Sequence, residues 1–176
     1  EPRTIHIDFS PANTQNETDK TIRFDENGKL KILHIADTHL NYDKHFDSSI
    51  WVIAEACDVE KPDLVVLTGD NTHPNEDPEK TKKLINALMN IFESRKIPVA
   101  VTFGNHDSEG GPMTREDIME YYQTFSCVIS TDNSENFKNC ATFNVPVLAS
   151  DSDKVNFNLW VFDSGDYDED EPRHYD

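Results

Sequence analysis

Cations are scarce in this 176-residue chain, with 16 Lys and Arg against 34 Asp and Glu and a formal net charge of −18. Nucleic-acid binding draws its affinity from clustered cations that release counterions from phosphates, so nucleic acid is excluded as a main partner, and an anionic membrane surface with it. Long apolar runs are missing too. No stretch approaches the roughly 18 residues of a membrane span, and the N-terminus lacks the basic-then-apolar order of a signal peptide. The chain opens on Glu1 rather than Met, which suggests a removed leader or a start downstream of the gene's own. Repeats, linkers and low-complexity tracts are absent, so the length describes one domain or a piece of one. Cysteine is sparse and odd in number: Cys57, Cys127 and Cys140 allow at most one internal bridge, for which Cys127 and Cys140 are the expected pair. Cys57 falls in an amphipathic segment and reads as a small buried hydrophobe.

What is present describes a folded body with polar loops. Aromatics are 10% of residues, which a disordered chain would lack, although the mean hydropathy is −0.68. Residues 1–20 read as an N-terminal extension. Asp25-Glu26-Asn27-Gly28 separates two apolar runs, Thr21 to Phe24 and Lys31 to Ala36, and predicts a β-hairpin. The chain then alternates. Lys31 to Ala36, Leu64 to Thr68 and Val99 to Phe103 read as strands, while Ser49 to Val59 and Pro78 to Ser94 carry apolar residues at helical spacing. Thr114, with Asp117 three residues on, opens a further helix toward Phe125, and Ala141 to Leu148 and Phe157 to Phe162 read as strands joined through Asp151-Ser152-Asp153. Strand, helix, strand, helix, strand is a parallel α/β core, in which functional groups gather beyond the C-terminal strand ends.

Each of the three core strands runs into a polar turn: Asp37-Thr38-His39, Gly69-Asp70-Asn71 and Gly104-Asn105-His106-Asp107. Asp37 and Asp70 are 33 residues apart and Asp70 and Asn105 are 35, about one βα unit each, so the turns fall on one sheet edge. Carboxylates, imidazoles and an amide converging there suit Mn, Fe or Zn better than Ca or Mg. Singly, Asp-Thr-His and Gly-Asp-Asn are as much turn chemistry as site chemistry. Their ordered coincidence is specific. His34, His6 and His45 have no partner that the sequence names, and Trp51 and Trp160 read as packing residues.

The pattern D-x-H, GD, GNHD, each after a strand, resembles the calcineurin-like metallophosphoesterases, and IRFDENGKLKILHIADTHL, LVVLTGDNTH, FGNHDSEG with TREDIMEYY, and LWVFDSGDYD are similar to their purple-acid-phosphatase-related branch. The resemblance covers residues 21–176. It implies the N-terminal half of a β-sandwich flanked by helices, with a βαβαβ core, and hydrolysis of phosphate esters, foremost as a phosphomonoesterase. By the same resemblance two divalent or trivalent ions, Mn, Fe or Zn, would be held, the first by Asp37 and His39, the second by Asn105, with Asp70 bridging. A metal-bridging hydroxide would attack phosphorus, and His106 would serve as acid or phosphate contact. Asp107 is expected to cap its turn. The purple enzymes have D-x-G and a tyrosine ligand three residues after the GD aspartate, where this chain has His39 and His73, and His73 is expected as an exposed loop residue. The family's later histidines, including a GH-x-H motif, have no counterpart, since only His174 follows His106. The domain is therefore expected to be incomplete at its C-terminus, its partner being the missing half. A phosphodiesterase, or an inactive fragment that binds metal or a partner, are the alternatives. The acidic stretch from Asp163 on is read as strand end and solvated loop.

Overall fold

A computed structural model describes residues 6–43, 45–131 and 139–165; His174 and most of the acidic C-terminal stretch lie outside them. The elements in chain order are β1 (Ile32–Ile35), α1 (Phe46–Glu60), β2 (Leu64–Thr68), α2 (Pro78–Glu93), β3 (Val99–Thr102), α3 (Arg115–Tyr122), β4 (Phe143–Leu148) and β5 (Val155–Val161). β1, β2 and β3 form a parallel sheet in that order, with Ile35 beside Leu67 and Leu67 beside Val101. β4 and β5 form a second, antiparallel sheet.

The layers follow from strand alternation. From β2 and β3, Val65, Leu67, Val99 and Val101 point to a core shared with Ile50, Ile53 and Cys57 of α1, Leu84, Leu88 and Phe92 of α2, and Ile118 and Tyr122 of α3. Leu64, Val66 and Ala100 point the other way and pack on Phe143, Val145, Val147 and Val161. The result is helices on one face of a parallel sheet and an antiparallel sheet on the other, the mixed α/β architecture expected of a metallophosphoesterase N-terminal half.

Local chemistry sets the helix ends. α2 has Asp77 as N-cap, accepting from Glu79 N–H at 3.0 Å, with Pro78 in the first turn. At α3 the capping box is complete, with Thr114 Oγ1 accepting from Asp117 N–H at 3.1 Å and Asp117 Oδ2 accepting from Thr114 N–H at 2.9 Å. Among the described residues no helix is long and apolar enough to cross a membrane.

Several expectations fail for lack of long-range information. The Asp25–Gly28 turn forms, with Gly28 at φ 72°. Its incoming arm, however, pairs in parallel with β4 through Arg23 and Leu148 rather than folding back on β1. No hairpin results. Cys127 and Cys140 are buried but not joined, and none of the three cysteines is in a disulfide. Burial pushes the Cys57 thiol up to about 11. Trp51 and Trp160 lie at the surface, Trp160 stacked on the more exposed Phe162 at 6.3 Å. Within the N-terminal extension, residues 8–10 contact the body: Phe9 stacks on Phe46, and Asn86 and Asn90 of α2 donate to the carbonyls of Phe9, Asp8 and Ser10.

Candidate metal centre

Hydrogen bonding between the first two loops continues after β1 and β2 end. Asp37 N–H donates to Gly69 O at 3.1 Å, His39 N–H to Asp70 O at 2.8 Å and Leu40 N–H to Asn71 O at 3.2 Å. The loops are thereby zipped side by side, and His39 is set next to Asp70. The second and third loops touch through glycines. Gly69 has φ 109°, and a Cβ there would lie 2.2 Å from Gly104 N; a Cβ on Gly104 would lie 2.2 Å from Asp70 Oδ1. Neither position has room for a side chain.

Asp37, His39 and Asp70 all adopt positive φ, at 55°, 43° and 50°. For residues other than glycine that is a strained conformation, and such strain concentrates at functional sites. Their ligand atoms lie within 4.8 Å of one another. His39 Nε2 is 3.6 Å from Asp70 Oδ2 and 3.9 Å from Asp37 Oδ1. The Asp70 side chain, only 13% exposed, divides its oxygens, with Oδ2 toward His39 and Oδ1 accepting the His106 N–H at 2.9 Å. Two carboxylates and an imidazole, held this close, are a donor set that fits a divalent cation.

Asp107 supports this arrangement from beneath. Its Oδ2 accepts from Asp70 N–H at 2.7 Å and Gly104 N–H at 2.8 Å, and its Oδ1 from Asn71 N–H at 2.9 Å. It does cap its own turn, at Gly104, but chiefly it ties the loop of Asp70 to the loop of Asn105 and His106. Burial pushes its carboxyl up to about 6 against the opposing pull of these N–H groups.

Arg115, at the start of α3, braces the same loop. Its Nη1 donates to Gly104 O at 2.8 Å and its Nη2 to Asp163 Oδ1 at 2.5 Å, while the guanidinium lies over the Phe103 ring. The Asp163 side chain is 0% exposed and also accepts from Gly165 N–H, so it is part of the interior and not a solvated loop. Sequence reasoning missed this pair, because ion-pair partners 48 residues apart carry no local signal.

Three imidazoles share the edge, with ring centres 5.2 Å apart for His39 and His106, 5.7 Å for His73 and His106, and 6.0 Å for His39 and His73. His73 is half-buried rather than an exposed loop residue, because its N–H donates to Leu40 O and draws it against the first loop. Asn105 is partly buried between Gly104 and His106. His34 is exposed on β1 and bonds Thr68 at 2.7 Å, apart from this cluster.

Comparison with known proteins agrees with the geometry. The sequence model of the calcineurin-like phosphoesterase family matches residues 30–174. A protein of Arabidopsis thaliana named "probable inactive purple acid phosphatase 29" is 30% identical over 181 residues, covering 89% of this chain and 45% of that protein. "Phosphatase DCR2" of Saccharomyces cerevisiae is 32% identical over 109 residues, covering 54% of this chain and 19% of its own length. The "DNA double-strand break repair protein Mre11" of Archaeoglobus fulgidus is 33% identical over 102 residues, covering 53% and 22%. The chain spans about half the length of the first two curated relatives it matches, 45% and 48%.

Proposed function

We propose that this chain, which belongs to the calcineurin-like phosphoesterase family, carries the first half of the active site of a phosphomonoesterase. The family's chemistry is phosphoester hydrolysis supported by divalent metals. The observation that carries the reading is the Asp37, His39 and Asp70 cluster, with ligand atoms within 4.8 Å. In this reading Asp37 and His39 would hold one ion, Asp70 would be shared between two, and Asn105 would offer its side-chain oxygen to the second, the ions being Mn, Fe or Zn. When bound, such a pair supplies a hydroxide nucleophile near neutral pH and offsets charge on the phosphoryl oxygens. His106 gives a proton to the leaving oxygen as its bond to phosphorus breaks, or holds the phosphoryl group. Asp107 and Arg115 keep the loops of Asp70 and His106 in register.

Among the described residues this reading gives the second ion Asp70 and Asn105, and its remaining ligands are assigned to a further segment of the same domain, the partner of residues 21–176. The exposed, stacked pair Trp160 and Phe162 at the end of β5 supports a covering segment. A second reading, metal or partner binding without turnover, is favoured by the word "inactive" in the names of several relatives. A phosphodiesterase or nuclease reading draws on the match to the archaeal repair protein, and the net charge of −18 argues against a nucleic-acid substrate.

His106→Ala in the full-length, metal-loaded protein separates these. The phosphomonoesterase reading expects a rate loss of about 10² to 10⁴ on aryl phosphates with little change in metal content, and a smaller loss for esters with good leaving groups. Equal loss across the leaving-group series removes the acid role. Bound metal without turnover of any monoester favours the non-catalytic reading.

A further inference from the structure

The chain folds back immediately after His106. Glu109 N–H donates to His106 O at 3.4 Å, Gly111 N–H to Ser108 O at 3.4 Å, and Gly110 takes φ 70°. This turn lays the Glu109 carboxylate against the imidazole, where it bonds Nδ1. The His106 and Glu109 side chains are 31% and 45% exposed. Around His106 the His39 and His73 rings pack beside it, Asp70 Oδ1 accepts its backbone N–H, and the Asp107 carboxylate is turned away toward the N–H groups of Asp70, Asn71 and Gly104.

We propose that Glu109 is a positioning residue for His106, holding Nδ1 as a hydrogen-bond donor so that Nε2 is the nitrogen presented to the substrate. An ionised carboxylate only accepts, so Nδ1 must carry a proton whether the ring is neutral or charged. The neutral ring is then the Nδ1–H tautomer, and the proton that a charged ring can give up is the one on Nε2. Which ring nitrogen is free is decided by the bond the other one makes. A pair this exposed adds little to stability, so its consequence is orientation and tautomer. The inference deepens the reading of His106 given above and rests on it for its effect on rate.

The test uses the full-length, metal-loaded protein with ¹⁵N-labelled histidine rings, comparing wild type with Glu109→Ala and Glu109→Gln. The tautomer of His106 is read from its ring ¹⁵N shifts, metal content from elemental analysis, and kcat from a leaving-group series of aryl and alkyl phosphates. Wild type should be the Nδ1–H tautomer, and Glu109→Ala should shift toward a mixture. Orienting partners of this kind are worth about 10- to 100-fold, so kcat should fall by that factor in Glu109→Ala, more steeply for alkyl than for nitrophenyl esters, with metal content unchanged. Glu109→Gln should recover most of both signals, because its amide oxygen still accepts from Nδ1–H. An unchanged tautomer in Glu109→Ala overturns the positioning role whatever the rates do. A shifted tautomer with unchanged kcat on every ester leaves the positioning role standing and overturns the proton-transfer role of His106 instead.

Discussion

Replacing Arg115 by Met tests how the third loop is held. Methionine keeps an unbranched apolar stem over Phe103 but removes both guanidinium bonds, to Gly104 O at 2.8 Å and to Asp163 Oδ1 at 2.5 Å. The cost is dominated by what remains. Asp163, 0% exposed in its side chain, keeps the Gly165 N–H at 3.0 Å and a long contact to Ala141 N–H at 3.4 Å, and no cation. Breaking a buried ion pair from one side costs about 3–5 kcal/mol, a large share of the roughly 5–15 kcal/mol that stabilises a whole domain. With a urea slope of about 2 kcal/mol per M, the unfolding midpoint should fall by roughly 1.5–2.5 M. Urea titration followed by circular dichroism reads this directly. The double variant Arg115→Met with Asp163→Asn removes the orphaned charge and should be more stable than Arg115→Met alone by about 1–3 kcal/mol. A loss below 1 kcal/mol in the single variant, or no recovery in the double, would refute the argument that Asp163 is a buried charge depending on Arg115.

Three further outcomes follow from the same geometry. Asp70→Asn should lower metal content, read by elemental analysis, because a neutral amide cannot replace an anion between cations; an undiminished metal load would remove Asp70 as the bridge. Gly69→Ala places a Cβ 2.2 Å from Gly104 N at φ 109°, so strain and overpacking should destabilise the chain by about 2–6 kcal/mol in denaturant unfolding and weaken metal binding with it. Glu93 is a pH test: burial works to raise its carboxyl, but the N–H groups of Cys127 at 2.9 Å and Ser126 at 3.1 Å outweigh that and hold it below its usual range. A depressed folded value contributes stability above the unfolded value that is lost as pH falls through the folded one. Glu93→Gln should therefore be less stable than wild type by about 1–2 kcal/mol at pH 7, and the gap should close as pH falls through the lowered folded value; a gap independent of pH would contradict it.

The core elements, and the sheet edge to which the Asp, His and Asn turns come, are readable along the chain. Leu64 to Thr68 and Pro78 to Glu93 were legible because side-chain period and helix caps are local properties, read within a few residues. The turns carrying Asp37, His39, Asp70, Asn105 and His106 were legible because parallel βαβ connection brings equivalent strand ends together without further information. Pairing between distant residues was settled by packing. The Asn27-Gly28 turn formed, yet its arm chose Leu148 over β1, since a turn sets direction and not the partner. Cys127 and Cys140 are both buried without a bridge, because a count of thiols carries no distance. His73 at the site, Asp107 beneath it, the Arg115 and Asp163 brace and the Glu109 contact all depend on how loops settle after the sheet is built. Hydrogen-bond geometry of that kind is fixed by packing in three dimensions, which periodicity along the chain does not encode.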